Sequence, residues 1–269
     1  MTEGDARAVL SDADGRGVPE LRAVVRLLSY RGGGMFHSWN VKVDGDDTPY
    51  VTKFQSHEQP PSHRLVLELA AARLGRMFEP PVVSEHAVLD ITNNHVKNQQ
   101  CPAQGCGRPL SVGAAFASRQ VDGGQEFRGR IPPSVPAERA ASIVLFQTWL
   151  EASDAQGLFT GQGECYSMDH AAYLPGAQTW VANRAATPVV ILSAGATTDG
   201  RFSSLEPFTR ALDQLSALAD VDIVRAFGGV PSEWFGNFEY RLSCAQYVLT
   251  RRLQVDEVVR KAFPGGKAS

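Results

Sequence analysis

The chain has 269 residues, 43% hydrophobic and 20% charged, with a formal net charge of −3 at pH 7. That length and apolar content support a sizeable core in one large domain or two packed lobes. The mildly acidic balance offers no long-range field for nucleic acid or an anionic membrane, so neither is expected as a partner. Apolar stretches such as Thr187 to Ala196 fall well short of the roughly 20 residues a spanning helix needs.

Residues 1–17 are polar and rich in Asp, Gly and Ala, with no basic region followed by an apolar run. They read as a mobile leader, not a secretory signal, and the expected location is cytoplasmic. Leu21 to Leu28 is apolar but alternates poorly, as a short helix or a first strand would. Gly32, Gly33 and Gly34 follow, and then the extended runs Trp39 to Val43 and Tyr50 to Phe54 flank an Asp44-Gly45 turn, the signature of a hairpin. Ser62 is a candidate helix cap after Pro60-Pro61, and Leu67, Ala70, Ala71, Leu74 and Phe78 share one helical face. Pro80-Pro81 ends that helix.

Val82 to Ile91 and Val112 to Val121 read as strands on either side of a loop holding Cys101 and Cys106. His95 lies upstream, but no fourth zinc ligand stands at a useful spacing, so the loop reads as a surface segment with free thiols. Cys165 and Cys244 sit in apolar surroundings and read as core thiols. Beyond residue 121 the pattern turns helical, with periodic faces in Ala137 to Leu150, Leu205 to Leu218 and Phe238 to Leu253. Asp154 to Trp180 is Gly-rich and suggests loops around a small hairpin. The expected class is α+β, with a β-rich part at 18–121 carrying one main helix and a mainly helical part at 122–269.

Phosphoryl transfer places a fixed set of groups in this order: a glycine-rich turn, a strand lysine for nucleotide phosphates, a helix glutamate to hold that lysine, then two aspartates. Lys53 shares its strand face with Val51, while Tyr50, Thr52 and Phe54 point the other way. Glu68 lies beside the apolar stripe of the following helix, facing partly toward the sheet. Gly32 to Gly34 precede the strand that pairs with the lysine strand, and three glycines let backbone N–H groups turn toward an anion. No Gly-Lys-Ser/Thr follows, so this is not a P-loop. Asp154 and Asp169 stand 15 positions apart with three glycines between them, room for a loop and a hairpin that return one beside the other. A serine hydrolase is disfavoured by the lack of a Gly-x-Ser-x-Gly turn.

The phrases Val51-Thr52-Lys53-Phe54, Leu65-Val66-Leu67-Glu68, Glu79-Pro80-Pro81-Val82, Trp149-Leu150-Glu151-Ala152-Ser153-Asp154, Met168-Asp169-His170 and Val230-Pro231-Ser232-Glu233-Trp234 occur in the order found in bacterial HipA-like kinases. The sequence resembles that family from about Arg22 to about Arg252. The resemblance implies a bilobal protein-kinase-like fold and an ATP- and Mg²⁺-dependent phosphotransferase acting on a protein Ser/Thr or a small-molecule hydroxyl. It also implies roles. Lys53 and the Gly32-Gly33-Gly34 turn would bind phosphates, Glu68 would brace Lys53, and Asp154 would orient the acceptor. Asp169 would ligate magnesium. The handover segment Ala117 to Gly123, with Arg119 and Val121, would contact adenine. One departure stands out. The family loop continues Asp-Arg-His with an Asn shortly after, whereas this chain reads Asp154-Ala155-Gln156-Gly157-Leu158-Phe159, with Phe159 where the Asn is expected. A pseudokinase that binds nucleotide or a partner without efficient transfer is the alternative.

Overall fold

The computed structural model describes residues 1–32, 38–54, 63–78, 82, 85–97, 99, 110–175, 200–234 and 236–263. Cys101, Cys106, Gly33, Gly34, Ser62 and the Thr187 to Ala196 stretch lie outside them. No helix among the described residues is long and apolar enough to cross a membrane.

The expected mobile leader is instead a docked helix, α1 (Glu3–Gly15). Thr2 caps it reciprocally: its hydroxyl accepts from the Asp5 backbone N–H at 3.2 Å, and its own N–H donates to the Asp5 carboxylate at 3.0 Å. Ala6 and Leu10, one turn apart, bury one face. At the far end Asp14 accepts both terminal nitrogens of Arg241, at 2.7 and 2.8 Å, and the Gly229 N–H at 2.9 Å. Two buried apolar residues, with ion pairs of Asp14 to Arg241, Arg7 to Glu239 and the N-terminus to Asp220, dock a helix whose composition reads as disordered.

Strands β1 (Leu21–Gly32), β2 (Ser38–Val43), β3 (Tyr50–Lys53), β4 (His86–Ile91) and β5 (Gly113–Arg119) form a closed barrel in the order β1-β2-β3-β5-β4. Closure comes from a parallel pairing of β1 with β4, Leu21 opposite Val88; the other pairs are antiparallel. Three register shifts along β1 bend it around the barrel. Val41, Val43, Tyr50, Phe54, Ala87, Leu89 and Ala117 fill the interior. Lys53, Phe116 and Val88 sit in one cross-strand row and project from the opposite, outer face.

Helix α2 (Arg64–Gly75) lies on that outer face. Leu65, Val66, Leu69 and Ala72 pack on Val88, Phe116 and Trp234. Trp234 and Glu233 also grip the start of β5: Glu233 accepts the Ala114 N–H at 2.9 Å and the Trp234 indole donates to the Ala114 carbonyl at 3.0 Å. Gly75 lets the last turn of α2 approach Val82, since a Cβ there would meet the Val82 side chain at 2.4 Å.

A short helix, α3 (Asn93–Val96), follows β4. The second sheet is β6 (Gln125–Arg128), β7 (Gln156–Phe159) and β8 (Cys165–Met168), antiparallel in that order. Helices α4 (Ala137–Trp149), α5 (Thr209–Ala217), α6 (Asp220–Arg225) and α7 (Phe238–Ala262) complete the described chain. Their core includes Phe146, Trp149, Phe208, Phe227 and Val248, and α1 joins it through Leu10. The architecture is α+β, with the barrel and α2 first and the helical core second.

Candidate active site

The cleft runs between the outer face of the barrel and the β6–β8 sheet. Val51, Lys53 and Phe116 line it from the barrel, Glu68 and Ala72 from α2, and Leu158, Met168 and Asp169 from the opposite side. Lys53 reaches it because strand alternation sets it outward, with Val51, from a barrel filled by Tyr50, Thr52 and Phe54.

The Lys53 ammonium donates to the Asp169 carboxylate at 2.7 Å and is ion-paired with Glu68 as well. Residues 116 apart in sequence therefore meet across the cleft. Burial alone would lower the Lys53 pKa, but the two carboxylates outweigh it and hold the pKa above its ordinary value. The Glu68 side chain is 2% exposed. Besides Lys53, it accepts backbone N–H groups from His170 at 3.1 Å and Ala171 at 3.0 Å. Burial raises its pKa, yet the Lys53 charge and the His170 contacts win and lower it to about 2. One carboxylate thus holds both the lysine and the backbone just after Asp169.

Asp169 has φ 57° and ψ 61°, left-handed values that Asp tolerates better than most residues. The conformation is fixed on both sides: Lys53 takes the side chain, and a short 3₁₀ turn at His170–Ala172 is tied to Glu68. The Asp169 side chain remains 30% exposed, open toward the cleft.

The second aspartate follows α4. Arg251 of α7, fully buried, donates to the carbonyls of Thr148 (Nη2) and Trp149 (2.8 Å), at the end of that helix. It also pairs with Glu151 at 3.2 Å, and the Tyr247 hydroxyl donates to the same carboxylate. Glu151 itself has φ 52°, so the chain turns sharply there. Ser153 then donates to the Ala172 carbonyl at 2.7 Å, joining this loop to the segment after Asp169. Asp154 is exposed and is not among the residues that line the cleft; its carboxylate accepts a hydrogen bond from the side-chain amide of Gln156, which does line it.

Arg119 and Val121 line the cleft. The Arg119 guanidinium is engaged with Glu85 at 2.7 Å and Thr48 at 3.0 Å. Gly32 pairs with Ser38 at the end of β1, and the neighbours Arg31 and Ser38 face the cleft. Phe159 packs against Phe127, ring centroids 6.4 Å apart, on the edge of the helical core.

The model of the HipA-like kinase family matches residues 27–163, about half of the chain. The chain belongs to the HipA-like kinase family. No curated protein and no solved structure matches it. The matched span holds Lys53, Glu68 and Asp154 and stops before Asp169, which the fold carries back to Lys53.

A HipA-like kinase site is expected to take magnesium. Among the described residues no three His, Cys, Asp or Glu side chains converge as a protein-only cage. The donors nevertheless fit magnesium, which usually keeps several waters and takes one or two carboxylates with nucleotide phosphates. Asp169 is a hard, partly open carboxylate of that kind. Gln156, His86 and Arg128 escaped the sequence reading although all three line the cleft. Gln156 had a visible signal in its place two positions after Asp154. His86 and Arg128 had none, because only strand register turns them inward.

Proposed function

We propose that this HipA-like kinase binds ATP with Mg²⁺ and transfers the γ-phosphoryl group to a hydroxyl, on a protein Ser/Thr or on a small molecule. The observation that carries this reading is the Lys53 ammonium held between Glu68 and Asp169 across one cleft. In this reading the fold is bilobal, with residues 18–121 as the nucleotide-binding lobe and 122–269 as the lobe with the catalytic and metal loops. Val51 above and Leu158 below cover the two faces of the adenine, and the backbone of 117–123 meets its edge. Lys53 neutralises phosphate oxygens, and Glu68 prevents the lysine from swinging away. Asp169 would hold magnesium, which would neutralise phosphate charge when bound. Asp154 orients the acceptor hydroxyl and takes its proton as the new P–O bond forms and ADP departs.

A pseudokinase is the second reading, supported by Phe159 packing on Phe127 at the edge of the core and by Gln156 occupying one oxygen of Asp154. Titrating ATP with Mg²⁺ against wild type and Lys53→Ala, followed by mass analysis of phosphate transfer, tests both readings. Active transfer that Asp154→Asn abolishes, with nucleotide affinity kept within about twofold, supports the kinase. Stabilisation by nucleotide without transfer supports the pseudokinase. Transfer undiminished in Asp154→Asn removes Asp154 from its role.

A further inference from the structure

Most charged groups in the cleft are spoken for. Lys53 is shared by Glu68 and Asp169, and Arg119 faces Glu85. Arg128, at the end of β6, lines the cleft and is exposed, and its guanidinium forms no ion pair or hydrogen bond with the described residues. Its place in the sheet is informative. Arg128 stands opposite Gln156, and Gln156 stands opposite Met168, so the three form one row across β6, β7 and β8. Cross-strand partners project from the same face. Both acids flank this row: Gln156 donates to Asp154, and Met168 directly precedes Asp169. The Gly129 N–H donates to the Ala155 carbonyl at 2.8 Å, which extends the ladder to the residue after Asp154. Two strand spacings, roughly 10 Å, separate the Arg128 backbone from that of Met168, a gap that an extended guanidinium and a phosphoryl group held against it can bridge together. The neighbouring Glu126, on the same face, is opposite Leu158, one step further from the acids.

We propose that Arg128 binds the terminal phosphoryl group of a nucleoside triphosphate and so makes the cleft distinguish triphosphate from diphosphate. The inference rests on the nucleotide-binding reading above. The chemistry fits: a guanidinium fork matches two phosphate oxygens, and an unpaired one on the same row of the sheet as Gln156 and Met168 is suited to an anion brought into the cleft. Lys53, buried at the opposite wall, meets the inner phosphates. Arg128 meets the outermost.

The test is calorimetric binding of ADP and of a non-hydrolysable ATP analogue, both with Mg²⁺, to the full chain and to Arg128→Ala and Arg128→Lys. The wild type should prefer the triphosphate. Arg128→Ala should lose about tenfold or more of triphosphate affinity, the size of one or two charge-assisted hydrogen bonds, while ADP affinity changes less than about twofold. Arg128→Lys should restore part of the loss. An unchanged triphosphate-to-diphosphate ratio in Arg128→Ala, or a wild type without preference, overturns the assignment while leaving nucleotide binding intact. A wild type that binds neither ligand removes the assignment and the nucleotide reading together. Because Arg128 is exposed, melting curves of the variants should overlay that of the wild type, and a loss of binding without unfolding is then a site effect.

Discussion

Replacing Glu68 with Gln should destabilise the protein by about 3 kcal/mol at neutral pH, and the penalty should shrink on acidification. The Glu68 pKa stands near 2 against an ordinary 4.5, and each unit of such a difference corresponds to about 1.4 kcal/mol. A carboxyl whose folded pKa is depressed contributes its full stabilisation above the unfolded value. It loses that contribution as pH falls through the folded one. The relevant window is therefore pH 4.5 down to 2. Gln is neutral throughout and stands for the protonated acid, so the wild-type and variant stabilities should converge across that window. Acid effects at other carboxylates are common to both proteins and cancel in the difference. Urea unfolding at steps from pH 7 to pH 3 measures the gap, and at pH 7 it should appear as a melting temperature lower by roughly 10 °C. A gap under about 1 kcal/mol at pH 7, or one that stays constant between pH 6 and pH 3, would refute the assignment of Glu68 as a charged hub.

Arg251→Met leaves Glu151 and the carbonyls of Thr148 and Trp149 without their buried donor, and should cost about 3 kcal/mol in urea unfolding. Gly157→Ala would place a Cβ 2.4 Å from the Phe127 ring and 2.6 Å from the Tyr166 carbonyl oxygen. Because one of those neighbours is backbone, the β6–β8 sheet should be destabilised by about 1–3 kcal/mol, read by thermal melting. Asp14→Ala strands the nearly buried Arg241 with carbonyl partners alone and should cost about 2 kcal/mol. A melt that matches wild type would show that α1 is not anchored there.

Legibility in the sequence followed the regularity of the local pattern. The β3 alternation and the α2 stripe were plain, so the facing of Val51 and Lys53 and the placing of Glu68 near the sheet could be read directly. β1 alternated poorly for a physical reason: its three register shifts move residues between faces, burying Val24 while exposing Leu21, Val25 and Leu28. No periodicity argument survives such bulges. Closure of the barrel was likewise hidden, because a parallel β1–β4 pairing joins residues 67 positions apart, such as Leu21 and Val88. The Thr2-x-x-Asp5 cap was present in the sequence, but a helix held by Ala6, Leu10 and long-range ion pairs has too little apolar surface to announce itself. At the site, the acids and the lysine were legible by residue type and order. Gln156 and Arg128 depend on which strand lies opposite which, information that single-sequence spacing does not hold.

Helix α2 is fastened at two levels. Glu68 binds the turn after Asp169, and about a turn and a half later Arg73 donates to the carbonyls of Ala226 and Gly229, at 3.3 and 3.2 Å, and grips both oxygens of Glu20. An outward swing of this helix would have to break both sets together and expose a charge at each. The lysine-to-acid geometry is accordingly a ground-state property of the chain, assembled before any ligand arrives. What can enter the crevice, and not whether the crevice forms, is then the variable left open.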